Sequence, residues 1–190
     1  MLRLILASAS PRRRELLTNA GFEFEVIPSE VEEPGNTGAP PGAFAERVAQ
    51  LKAETVARTF APTYRAIVLG ADTVVVVAGA LLGKPHTPEE ARVMLEKLSG
   101  RAHEVVTGVA LVEPGGRSVL AHETTRVQFR ELSTEEIADY VASGEPLDKA
   151  GAYAIQGRAS RFATRIEGCY FNVMGLPVAL VDRLLRQWKD

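Results

Sequence analysis

One short segment constrains this chain more than any other: an aliphatic run that breaks at once into a helix start. Residues 2–7 are apolar at every position but Arg3, and Ser10-Pro11 follows almost immediately. So short a run reads as a strand covered on both faces, not as a helix. Ser10 is a good N-cap, and Pro11 suits the first helical position because its missing N–H costs nothing there. Gly21 then closes this helix as a left-handed residue just past its end.

The remaining patterning repeats the strand and helix theme without strict alternation. Alternation over residues 22–27 predicts a second strand, and residues 28–42 read as a long loop rich in proline and glycine. A helix is expected over residues 43–60, with Phe44, Val48, Leu51 and Thr55 on one face, flanked by alanines. Residues 66–69 and 74–77 are strand-like and are interrupted by Gly70-Ala71-Asp72-Thr73. Thr87-Pro88-Glu89-Glu90 and Ser133-Thr134-Glu135-Glu136 have the spacing of capping boxes, opening helices that Ser99-Gly100 and Gly144 stop. Between them lie two long strands, residues 101–112 and 117–130, joined at Pro114-Gly115-Gly116. Residues 177–188 form a last amphipathic helix with Val178, Val181, Leu185 and Trp188 on one side. The expected fold is α/β, a mixed sheet with helices on its faces.

At 190 residues the chain is expected to form a single domain. Apolar residues make up 46% and charged residues 24%, which excludes a disordered chain. A net charge of −2 gives no basic excess for general nucleic-acid binding. One thiol, Cys169, makes neither an internal disulfide nor a zinc cluster, so a reducing compartment is the simpler expectation. No run approaches the roughly 20 apolar residues of a membrane span, and the start of the chain lacks the apolar region of a secretory signal. A cytoplasmic protein is expected.

Several positions carry chemistry. Arg12, Arg13 and Arg14 crowd the first turn of the first helix, where the dipole disfavours cations by roughly 0.3–1 kcal/mol each. An anion bound at the free N–H groups reverses that sign, and Ser8 and Ser10 add donors, so a phosphate site is expected here. On this view, losing Arg13 costs the free protein no stability. Asp72 sits inside a strongly apolar stretch, which is costly unless it is paired, metal-bound or at a cleft; from the residues alone, a turn aspartate fits as well. Glu30-Val31-Glu32-Glu33 reads alone as a solvated acidic surface, and beside a phosphate site as carboxylates for a hard cation. Lys52 and Lys84 are individually weak signals. His86, His103 and His122 lack ligand spacing. Gln156, framed by Ile155 and Gly157, reads alone as an exposed residue in a tight turn, although its amide matches the donor and acceptor of a uracil or thymine edge.

Taken together, these motifs resemble the Maf family of nucleoside triphosphate pyrophosphatases, a house-cleaning group akin to the inosine triphosphatases. The matching segments are Leu4-Ile5-Leu6-Ala7-Ser8-Ala9-Ser10-Pro11-Arg12-Arg13, Glu30-Val31-Glu32-Glu33, Gly70-Ala71-Asp72-Thr73-Val74-Val75, Leu82-Gly83-Lys84-Pro85 and Leu98-Ser99-Gly100. Glu145-Pro146-Leu147-Asp148-Lys149-Ala150-Gly151-Ala152-Tyr153, Ile155-Gln156-Gly157 and Tyr170-Phe171-Asn172-Val173-Met174-Gly175-Leu176-Pro177 complete the set in family order.

The resemblance implies a mixed, elongated sheet flanked by helices. It implies hydrolysis of the α–β phosphoanhydride of dTTP and UTP, giving the monophosphate and pyrophosphate, with Mg²⁺ or Mn²⁺, in a homodimer. It assigns catalysis to Asp72, Glu33, Lys52 and Lys84, with Glu33 and Asp72 on the metal. Ser8 and Arg13 fall on its phosphate site. Arg12, Thr73 and Gln156 fall on the three positions tied to the dTTP/UTP subgroup. Two other readings stay open at this point: a non-catalytic nucleotide-binding regulator of cell division and septum formation, and the same chemistry on modified nucleotides. No nucleic-acid or membrane partner is expected.

Overall fold

The computed structural model describes residues 3–31, 34–35 and 38–188. Leu2, expected in the first strand, and the acidic pair Glu32 and Glu33 lie outside the described residues. The elements run β1 (Arg3–Leu6), α1 (Pro11–Asn19), β2 (Glu25–Val26), α2 (Pro41–Ala57), β3 (Ala66–Val77), β4 (Ala80–Leu82), α3 (Pro88–Leu98), β5 (Ala102–Val112), β6 (Ser118–Phe129), α4 (Thr134–Ala142), β7 (Ala163–Glu167), α5 (Tyr170–Val173) and α6 (Val178–Trp188). The strands are hydrogen-bonded in the order β2-β1-β3-β5-β6-β7, with β4 on β3. The sheet is mixed: β1 is parallel to β2 and β3, whereas β4 is antiparallel to β3 and β7 to β6.

Two compact units share these strands. One comprises Met1–Thr73, Thr107–Glu123 and Gly175–Asp190, and the other Val74–Val106 and Thr124–Met174. In the first unit, Ile5, Ala7, Ala66, Val68, Ala110 and Val112 pack with the α2 residues Ala49, Ala53, Val56 and Ala57. The buried residues of α2 are therefore four alanines with Val48 and Val56; of the expected face Val48 is buried, while Phe44, Leu51 and Thr55 are only half-buried.

The glycines opposite explain why small residues face inward. A Cβ on Gly70 would stand 2.1 Å from the Ala49 carbonyl oxygen, and one on Gly108 2.2 Å from the Ala45 carbonyl carbon. Helix and sheet meet backbone to backbone, and only small residues allow that. Gly70 is thus a packing residue, not a turn. The stretch expected to separate two strands is the middle of one continuous strand, β3.

In the second unit, Val75, Val77 and Leu82 pack with Leu95, Leu98, Phe129, Ile137, Tyr140, Tyr153 and Phe162. Ala78 and Gly79, both at positive φ (49° and 78°), make the tight two-residue turn from β3 to β4. Ser133 and Glu136 form a full capping box on α4. The α3 box is incomplete: Thr87 caps the Glu90 N–H, but the Glu90 carboxylate accepts from the His86 N–H at 2.8 Å. At the chain end, the buried face of α6 is Leu180, Val181, Leu184 and Trp188, with Leu184 in place of Leu185. Spacings of three and four from Val181 select that stripe.

Candidate functional site

Local rules set the start of α1. Ser10 caps the helix by accepting from the Arg13 N–H at 3.5 Å, and the Ser8 hydroxyl accepts from the Ser10 N–H at 3.2 Å. The Arg13 guanidinium turns back across this start. Its Nε donates to the Gly175 carbonyl at 2.8 Å, its Nη1 to Ser8 Oγ at 3.3 Å and its Nη2 to Thr73 Oγ1 at 3.2 Å. Thr73 Oγ1 is also 3.0 Å from Thr107 Oγ1. Arg13 therefore ties α1 to residue 175, far along the chain, and is structural before any ligand arrives. That reverses the expectation that its loss costs nothing. Arg12 is half-buried and Arg14 exposed.

Successive residues leave a strand on opposite faces. Gly70, Asp72 and Gly108 accordingly lie toward α2, whereas Thr73 and Thr107 meet on the other face. On the α2 face, Lys52 Nζ lies 2.8 Å from Asp72 Oδ1, with side-chain exposures of 12% and 9%. The Gly70 contact sets this geometry. It seats the Ala53 turn of α2 on β3, so the residue before Ala53 reaches the residue two beyond Gly70. Withdrawing both charges from water costs about as much as their attraction returns, so the pair is poor evidence of a device for stability alone. It leaves a nearly buried carboxylate oriented by an ammonium.

The second unit holds Lys84 and Gln156. Both are exposed, Lys84 in the segment after β4 and Gln156 in a turn closed by the Gly157 N–H on the Ala154 carbonyl at 3.0 Å. His103 is buried against Phe129 with Nε2 2.9 Å from the Tyr153 hydroxyl, and burial lowers its pKa from 6.5 to about 4. Cys169 shares a backbone link with Thr125 and has no role among the candidates. Among the described residues, no three His, Cys, Asp or Glu side chains form a metal cluster.

The structure thus groups Ser8, Arg13 and Thr73, pairs Lys52 with Asp72, and gives Lys84 and Gln156 no partner among the described residues. Glu33 lies outside them. Sequence reasoning missed Thr107 and the Gly175 carbonyl. A threonine before a glycine in a buried strand gives only a faint signal, and a backbone carbonyl gives none.

The profile of the family described as Maf-like protein matches residues 3–188. The chain belongs to the Maf family. It is 52% identical over 186 residues to the dTTP/UTP pyrophosphatase of Moorella thermoacetica, covering 97% of this chain and 94% of that one. It is 49% identical to that of a Geobacillus species, covering 98% of each. Among solved structures, the Ham1 protein of Staphylococcus aureus matches with a TM-score of 0.56 at 17% identity, over 97% of this Maf chain and 98% of its own. A HAM1 protein from Coxiella burnetii matches equally, with a TM-score of 0.56 at 18% identity, over 98% of this chain and all of its own. These two share the fold, which is the mixed α/β class expected from the sequence. No helix among the described residues is long and apolar enough to cross a membrane.

Proposed function

We propose that this protein hydrolyses dTTP and UTP to the monophosphate and pyrophosphate, with Asp72 as the general base. The observation that carries this reading is the nearly buried Lys52–Asp72 pair at 2.8 Å. A buried carboxylate held by one ammonium is placed to orient a water molecule and take its proton. The water oxygen then bonds to phosphorus at the α–β anhydride, and the bridging oxygen leaves on pyrophosphate with the bond's electron pair. Arg13, Ser8, Lys52, Lys84 and the α1 N-terminus bind and neutralise the triphosphate, so that catalysis is mainly positioning and charge stabilisation.

The residues fit a hard divalent cation. Lys52 engages Asp72 through Oδ1, and the other carboxylate oxygen has no partner among the described residues. One or two carboxylates plus substrate phosphates are how Mg²⁺ is usually held. Asp72 and Glu33 would hold Mg²⁺ or Mn²⁺, which supplies further neutralisation of phosphate charge. Arg12, Thr73 and Gln156 select the base. Uracil and thymine share a 4-carbonyl acceptor and an N3–H donor, and a glutamine amide meets both at once. The same reading makes the protein a cytoplasmic homodimer with a nucleotide as its small-molecule partner.

Pyrophosphate release measured with Mg²⁺ and each nucleotide tests the proposal. dTTP and UTP should exceed CTP by roughly 10–100-fold in kcat/KM, the rate equivalent of one mispaired polar group. No pyrophosphate from any nucleotide would overturn it.

A further inference from the structure

Gln156 is exposed, and a free amide flips to suit either cytosine or uracil, so base selection needs a fixed turn beneath it. The structure shows what fixes that turn. The Glu145 carboxylate accepts through Oε1 from the Tyr140 hydroxyl at 2.8 Å and from the Arg158 N–H at 3.1 Å. The Tyr140 hydroxyl in turn accepts from the Ala154 N–H at 3.1 Å. One carboxylate and one phenol therefore hold the backbone on both sides of Gln156, two residues before it and two after. Tyr140 is fully buried at the end of α4, packed edge-on against Phe162. Glu145 is fixed from its own backbone: its N–H donates to the Ser143 hydroxyl at 3.3 Å, and its carbonyl accepts from Lys149 Nζ at 2.7 Å.

Gly157 reports the same arrangement sterically. Its φ of −100° suits any residue, yet a Cβ there would stand 2.3 Å from Glu145 Oε1. The glycine leaves room for a carboxylate.

We infer that Glu145 and Tyr140 are positioning residues for base selection, acting through the turn at residues 154–158. The inference rests on the proposal that Gln156 reads the base. Neither side chain touches the nucleotide. They set the height and orientation from which the Gln156 amide approaches it.

The test is the ratio of kcat/KM for dTTP over CTP, which general damage to the fold does not move. Glu145→Ala and Tyr140→Phe should each lower it roughly five- to tenfold, the scale of one or two lost hydrogen bonds. Glu145→Gln keeps an acceptor and should retain most of the ratio. Gly157→Ala displaces a flexible side chain, not backbone, so it should fold and yet lose selectivity. Combined with Glu145→Ala it should add little, since the carboxylate it displaces is already gone. An unchanged ratio in both Tyr140→Phe and Gly157→Ala overturns the inference, as does full additivity of the pair. Gln156→Ala is the control. If it leaves the ratio unchanged, the reading of Gln156 itself fails; if it collapses the ratio while the other variants do not, only the positioning role fails.

Discussion

The two compact units present their polar residues in opposite ways. In the first, the groups assigned to phosphate and water are already engaged: Arg13 with Ser8, Thr73 and the Gly175 carbonyl, and Lys52 with Asp72. In the second, Lys84 and Gln156 project from exposed turns, and the ordering lies beneath them, in Tyr140 and Glu145. Groups that must meet a dense negative charge gain from being held in place beforehand, because pre-ordered charges cost no reorganisation during the reaction. A group that chooses among bases gains instead from an unpaired amide on a rigid support. On the proposed reading, substitutions at Arg13 and Asp72 should therefore cost stability as well as activity, whereas one at Gln156 should not.

Substitutions break or sharpen this contrast to different degrees. Gly70→Ala drives a methyl into the Ala49 carbonyl, with backbone on both sides and nothing flexible to yield. It should cost about 3 kcal/mol or more in urea denaturation and should misplace Lys52 against Asp72, lowering kcat as well. Acid probes the interior of the second unit. The folded pKa of His103 lies below its unfolded value of 6.5, at about 4, so the unfolded chain binds more protons between those limits. Its contribution is intact above pH 6.5, falls as the pH drops toward 4 and then levels off, a loss of roughly 3 kcal/mol. The stability difference between wild type and His103→Gln, compared at pH 7.5 and 4.5, should shrink by most of that amount.

Arg13→Ala should destabilise the ligand-free protein by about 2 kcal/mol in thermal or urea melts, since it removes three part-buried hydrogen bonds, to the Gly175 carbonyl and the Ser8 and Thr73 hydroxyls. An unchanged melt would mean that this network contributes nothing. Lys84→Ala is the counterpart in the second unit. It should move stability by no more than about 0.5 kcal/mol while raising KM for the triphosphate.

Much of this was legible in residue order, and what was not has identifiable causes. The strand and helix at the start, the Ser133 capping box and the Gly21 helix end follow local rules, and the structure has them. The misreadings at α2 and β3 share one origin. Gly70 looks like a turn residue, and Phe44 and Leu51 look like core, unless it is known that helix α2 and the sheet touch through glycine. That is a tertiary fact, and local propensity yields to it. The rich segment around Asp72 was recognisable because an aspartate in an apolar strand is costly, but its partner was twenty residues away on a helix where lysines are unremarkable. The structural part of Arg13 has no signal in residue order, because its acceptor is the carbonyl of Gly175, which no pattern announces. Glu145 and Tyr140 belong to the same class, their effect lying in the backbone they hold.

The central claim is that Asp72 carries the hydrolysis and that Gln156 reads the base. Steady-state kinetics of Asp72→Asn and Gln156→Glu on dTTP, UTP, CTP and ATP tests it most directly. Asp72→Asn should lower kcat on every nucleotide by roughly 10²-fold or more, the scale of losing a general base. It should also melt earlier, because the nearly buried pair with Lys52 loses its negative charge. Gln156→Glu replaces a donor with a second acceptor facing the 4-carbonyl. It should reduce dTTP and UTP hydrolysis by roughly 10–100-fold, barely change ATP and leave the melting temperature where it was. A uniform loss across all four nucleotides for Gln156→Glu, or wild-type turnover for Asp72→Asn, would contradict the account.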